Sequence, residues 1–199
     1  MRTVPVTATV VRIGIAAPGR GRTARAVHLG VTLDAVLDEL FEQVPVPYRT
    51  PTWYRRPEGD HTTLVIPPTV PRRWVATELV ALLAGALRRR NRHLNEFGRL
   101  RLRLAADHGD VVLRPPYAGG AAVALSAWLA ESAELKAALA AAPAADLALI
   151  VSDRFHTALG DDPAFRRVVV LAGGEREIAW LCPDAGTRNT GADGGLAPS

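Results

Sequence analysis

The chain has 199 residues, 48% of them hydrophobic and 22% charged, which suits one globular domain with a real core. Its one cysteine, Cys182, excludes an internal disulfide framework and a multi-cysteine zinc site. It also fits a reducing compartment, so the protein is expected in the cytoplasm. The net charge of +4, mostly from arginine, permits phosphate binding without demanding it.

Residues 4–16 are rich in Val, Ile and Thr and alternate loosely, so they predict a first strand. Thr7, Thr9 and Arg12 interrupt any signal-peptide core. The run APGRGR breaks the strand. Gly19 and Gly21 would let backbone amides converge on an anion there, with charge from Arg20, Arg22 and Arg25. The run has neither the Walker Lys-Ser/Thr pair nor the dinucleotide-binding glycine spacing, and a plain solvated basic loop explains it as well.

Leu33, Val36, Leu37, Leu40, Phe41 and Val44 recur at helical spacing, predicting a helix over residues 32–44. Two short strands follow, near 52–56 and 62–66, with Gly59 and Asp60 between them. Asp60 is either a turn acid or half of a metal site. A second helix is predicted over 72–93. Its arginine-rich end, RRRNRH, is read as cations favoured by the helix dipole rather than a nucleic-acid patch, because no stacking aromatic interleaves it.

LRLRLAADHGDVVLRP reads as two strands joined at His108–Gly109. Residues 120–130 and 133–141 look helical. Glu131, Glu134, Lys136 and Asp146 would each cost roughly a few kcal/mol in lipid, so no membrane span is expected, and no membrane partner. LALIVS is a buried strand with Ser152 as the N-cap of a short helix, and RRVVVL with EIAWLC closes the fold. Residues 184–199 have little to bury and read as a loose tail after a single domain spanning 1–183. The histidine and acid pairs, DHGD included, match no zinc spacing, and Ser126, Ser152 and His156 have no nucleophile-elbow context.

The order β-α-β-β-α-β is ferredoxin-like, an α+β core here followed by further helices and strands. Three stretches within it, EGDHTTLVIPPTVP, NRHLNEFGRLRLRLAADHGDV and ELKAALAAAPAADLALIVSDRFHTAL, together resemble the class III nucleotidyl cyclase homology domain of the actinobacterial type. The likeness spans roughly residues 4–182. It implies two aspartates that hold Mg²⁺ or Mn²⁺, one ending the first strand and one in the hairpin. Asp60 stands at the hairpin position. The first-strand position falls at Val11 or Arg12, neither of which can ligate a hard cation.

The family's asparagine and arginine on the helix after the His-Gly strand fall at Ala124 and Trp128, and its base-selecting residue falls at Arg56. The resemblance therefore implies a degenerate, non-catalytic domain with no cofactor. It would dimerise, with itself or with a cyclase-like or effector protein, and Trp128 would lie at the seam. Two other readings stay open. One is a cyclase subunit completed by a complementary chain. The other is a non-catalytic nucleotide sensor using Arg12, Arg20, Arg22, Arg56 or Asp60. Arg12 is expected to pair with Asp60 and plug the old site.

Overall fold

The computed structural model describes residues 5–17, 23–49 and 53–187. Arg20 and Arg22 lie outside these residues, as does the segment from residue 188 onward.

β1 (Val6–Ile15) is the organising strand. Val11, Ile13 and Ile15 point to one face of the sheet, and Ala8 and Val10 to the other. β3 (His61–Ile66) and β4 (Leu102–Arg114) pair antiparallel with it on either side. β2 (Tyr54–Glu58) pairs with β3, which gives the ferredoxin-like order β2-β3-β1-β4. β6 (Leu147–Ser152), β8 (Glu175–Cys182) and β7 (Arg166–Ala172) extend the sheet beyond β4. The β4–β6 pairing is parallel, so the chain must cross over between them. α4 (Ala121–Glu131) and α5 (Ala133–Ala141) make that crossover.

α1 (Thr23–Gln43) and α3 (Val80–Asn91) cover the Val11 face and bury the main apolar cluster. Leu29, Leu33, Val36, Leu37 and Leu40 of α1 are all essentially solvent-free. Truncating one, as in Leu37→Ala, is expected to cost roughly 2–5 kcal/mol. α4 and α5 cover the opposite face through Leu129, Leu135 and Leu139. Between α2 (Arg72–Trp74) and α3 the helix runs through one π-helical turn, Val75–Leu79. Among the described residues, no helix is long and apolar enough to cross a membrane.

Three elements differ from the sequence reading. α1 starts at Thr23, nine residues before the expected start at residue 32. Its first turns carry exposed Val27 and Val31 on the outer side, so no inward apolar stripe marks them. β4 is one strand of 13 residues rather than two joined at His108–Gly109. Turn-prone residues stay extended there because cross-strand partners hold them, with Gly109 opposite Ala8 and the Thr9 hydroxyl 2.9 Å from His108 Nδ1. The reversal comes later, at Pro115–Pro116, and β5 (Tyr117–Gly119) returns along β4. The segment after Asp184 also packs as far as it is described. Ala185 is buried and its N–H donates to Leu147 O, while Arg88 donates to Gly186 O.

Candidate functional site

Arg12 lies in β1 opposite Thr63 of β3. Its Nη1 donates to Thr63 Oγ1 at 2.7 Å and to the Glu58 carboxylate. Thr63 Oγ1 donates to the same Glu58 oxygen at 2.8 Å, and Arg56 Nη2 stands 3.5 Å from the other oxygen. Burial pushes the Glu58 carboxyl up. The Thr63 hydrogen bond and the charges of Arg12 and Arg56 outweigh it and hold the group below its usual range. Val11, the other residue at the first-strand position, points to the opposite face and is core.

Asp60 follows Gly59, whose φ of 71° suits a residue without Cβ. Its carbonyl accepts from Ile15 N at 2.9 Å. The expected Arg12–Asp60 pair does not form. Asp60 is level with Ile15, three residues along β1 from Arg12, and that is roughly 10 Å of strand. Glu58, on the face Arg12 presents, takes the guanidinium instead.

The Asp60 carboxylate meets His61 Nδ1 at 2.7 Å, and His61 Nε2 meets Glu131 Oε1 at 2.8 Å. Glu131 also receives Lys136 Nζ at 2.7 Å and lies 3.2 Å from Arg103 Nη2. Burial pushes its carboxyl up, but hydrogen bonds from Lys136 and His61 and the charges of Arg103 and Lys136 hold it down at about 2. Asp60, Arg103, Glu131 and Lys136 line a cleft of about 570 Å³ together with Ala16, Ala17 and Arg101.

A two-metal site needs carboxylates that converge on one point with free lone pairs. Here two arginines and a hydroxyl already face Glu58, and one Asp60 oxygen is tied to a histidine. Among the described residues, no group of three or more His, Cys, Asp or Glu is placed to hold a metal ion. The residues present do not fit the divalent cation that the resemblance implies.

A second polar cluster sits on the far side of β4. Asp107 is fully buried and accepts from Ser152 Oγ at 2.6 Å and from Arg154 Nε at 2.7 Å, with Arg154 Nη2 on its other oxygen. That bidentate pairing is the first cause of the raised Arg154 pKa. Ser152 also caps α6 (Asp153–His156) by accepting from Phe155 N. The sequence reading identified the cap and missed the carboxylate, which is remote in sequence and has no local signal.

Ala124 and Trp128 lie on the outer side of α4. Trp128 is 46% exposed. Its indole rests against Gly173 in the β7–β8 turn, where a Cβ would come within 2.7 Å of the ring. The ring therefore forms a wall and leaves a groove of about 600 Å³ open beside it, which Ala121, Leu125, Arg154 and Arg176 also line.

No family profile matches this chain, and no curated protein matches it by sequence. Solved structures do match. The adenylate/guanylate cyclase/hydrolase from Silicibacter pomeroyi superposes with a TM-score of 0.65 at 14% identity, over 91% of this chain and 98% of that one. The guanylyl cyclase Cya2 gives 0.58 at 13%, over 91% and 92%. A bacterial light-regulated adenylyl cyclase gives 0.63 at 13%, over 93% of this chain and 54% of that one, so the chain spans about half of that protein. The chain has the class III nucleotidyl cyclase fold.

Proposed function

We propose that this chain is a non-catalytic module on the cyclase fold, working in the cytoplasm as a dimerising regulatory or adaptor component in signalling. The observation that carries the reading is the Arg12 guanidinium, held by Glu58 and Thr63 where the resemblance implies a metal carboxylate. Without that carboxylate, no cation is positioned to activate a ribose hydroxyl or shield a triphosphate. Ala124 and Trp128 add nothing to replace it, since one has no polar side-chain atom and the other a single uncharged donor. The exposed indole instead suits a protein contact.

The test is incubation of the purified chain with ATP or GTP and Mn²⁺, read by mass spectrometry for cyclic product. None is expected. Product abolished by Asp60→Ala would overturn the reading. Product only after mixing with a second cyclase chain would make this one a subunit of a heterodimer. Light scattering across concentration tests the dimer. The parent is expected to associate, and Trp128→Ala to weaken association by about 2 kcal/mol or more if the indole anchors the seam.

A further inference from the structure

We propose that the corner formed by the C-terminal end of α3, the loop into β4 and the start of α1 is a peripheral docking surface for anionic phospholipid. The inference is independent of whether the cyclase site is silent. Between Arg88 and Arg99 the chain carries five arginines and one glutamate. Helix-end electrostatics account for Arg88, Arg89 and Arg90, which sit in the last turn of α3. Arg92 is the C-cap itself, so the same electrostatics reach it, but they do not account for the loop on its C-terminal side. Arg89 is paired with Glu39, and Arg99 with Asp146. Among the described residues, Arg90 and Arg92 are exposed and make no hydrogen bond or ion pair.

That loop presents apolar side chains to solvent, Phe97 at 59% exposure and Leu94 at 38%. This is not the result of a slack loop. Asn91 is buried and holds both ends, donating to Leu100 O at 2.8 Å and accepting from Leu100 N at 3.0 Å. Asn95 Oδ1 accepts from Phe97 N and Gly98 N, each at 3.1 Å. Arg25 of α1 clasps the turn from below, donating from Nε to Phe97 O at 2.9 Å, with its guanidinium 5.4 Å from the ring centroid. An ordered turn thus holds a phenylalanine and a leucine outward, with Arg25, Arg99, Arg101 and the single acid Glu96 around the ring and the unpaired Arg90 and Arg92 just before the turn in the chain.

That pairing of a weak apolar anchor with a polybasic patch is what reversible membrane binding requires, since neither alone suffices. A nucleic-acid strand fits less well. Arg25 already occupies one side of Phe97, and the next exposed aromatic, Tyr117, lies past the opposite end of β4. Stacking recognition wants successive free ring faces.

The test is co-sedimentation of the full chain with phosphatidylcholine vesicles, with and without phosphatidylserine. Binding is expected only to vesicles containing phosphatidylserine, and it should weaken as salt rises. Arg90→Ala with Arg92→Ala should weaken partitioning roughly thirtyfold. Phe97→Ser should weaken it roughly tenfold at unchanged charge, and Phe97→Trp should restore or strengthen it. Arg166→Ala with Arg167→Ala, on the edge strand β7, should leave it nearly unchanged. Melting curves matching the parent exclude unfolding as the cause. No sedimentation, an equal loss from the β7 pair, or indifference to Phe97→Ser each overturns the proposal. So does tighter binding to a single-stranded oligonucleotide that the same variants abolish.

Discussion

Two arginine–carboxylate clusters lie along one face of this sheet, and they differ in which partner is buried. In one, Arg12 and Glu58 are both partly exposed, at 17% and 25% of their side chains. In the other, Asp107 is fully enclosed while the Arg154 side chain keeps 47% of its surface. Exposure decides what a broken pair costs, because a stranded group that can reach water recovers most of its solvation. The Asp107 cluster therefore belongs to the fold. The Arg12 cluster bridges β1, β2 and β3 with groups that water can still reach, so breaking it is expected to cost less.

The largest effect is expected from Arg154→Ala. It leaves the Asp107 carboxylate buried with only Ser152 as a partner, at a cost of about 3 kcal/mol. Denaturant melts should show a clear fall in midpoint at unchanged slope. A loss no greater than that of an ordinary surface substitution would mean that water reaches Asp107 once Arg154 is gone. Glu58→Gln should cost less, about 1–2 kcal/mol, because Thr63 still receives Arg12 and the guanidinium can turn toward water. If Glu58→Gln proved the more damaging of the two, the contrast drawn from burial would be wrong.

Much of this architecture is legible in the sequence because it rests on apolar periodicity. The β1 alternation, the stripe Val75, Leu79, Leu82, Leu83, Ala86 and Leu87 that runs into α3, and the buried run LALIVS each declare their element. What is not legible depends on pairing across the sheet. DHGD has turn-like composition, yet Asp107 and His108 sit mid-strand because Ser152, Arg154 and Thr9 satisfy them. Arg12 is identifiable as the wrong residue for a metal site. Its partner is not, since choosing Glu58 over Asp60 requires the register of β1 against β3 and the place of Glu58 at the end of β2.

Acid separates a third, more exposed set of charges at the hairpin tip. Glu131 has its carboxyl held at about 2, below the ordinary 4.5. A depressed acid contributes stability that is present in full above the unfolded value and is lost as pH falls through the folded one. The contribution should therefore fade between about pH 4.5 and about pH 2. The side chain is 48% exposed, so solvent screening limits the contribution to about 1 kcal/mol. Melting temperature against pH for the parent and Glu131→Gln should converge toward pH 2. Curves that stay parallel would show that Lys136, Arg103 and His61 do not act through this carboxylate.

The smallest expected effect is a null, and it bears most directly on function. With Arg12 seated on Glu58, divalent cation has no open pair of carboxylates to bridge, so Mn²⁺ should leave the melting temperature of the parent unchanged. Arg12→Asp reverses the chemistry at that place. In chelator it should destabilise, since a second carboxylate then faces Glu58 without a cation between them. Mn²⁺ should recover part of that loss, because oxygen ligands would now approach a hard cation from β1 and β2. Thermal melts of both proteins with chelator and with Mn²⁺ measure the difference. A parent that is itself stabilised by Mn²⁺, with the gain removed by Asp60→Ala, would mean that Asp60 ligates metal despite His61. The reading of a silent site would then fail at its first premise.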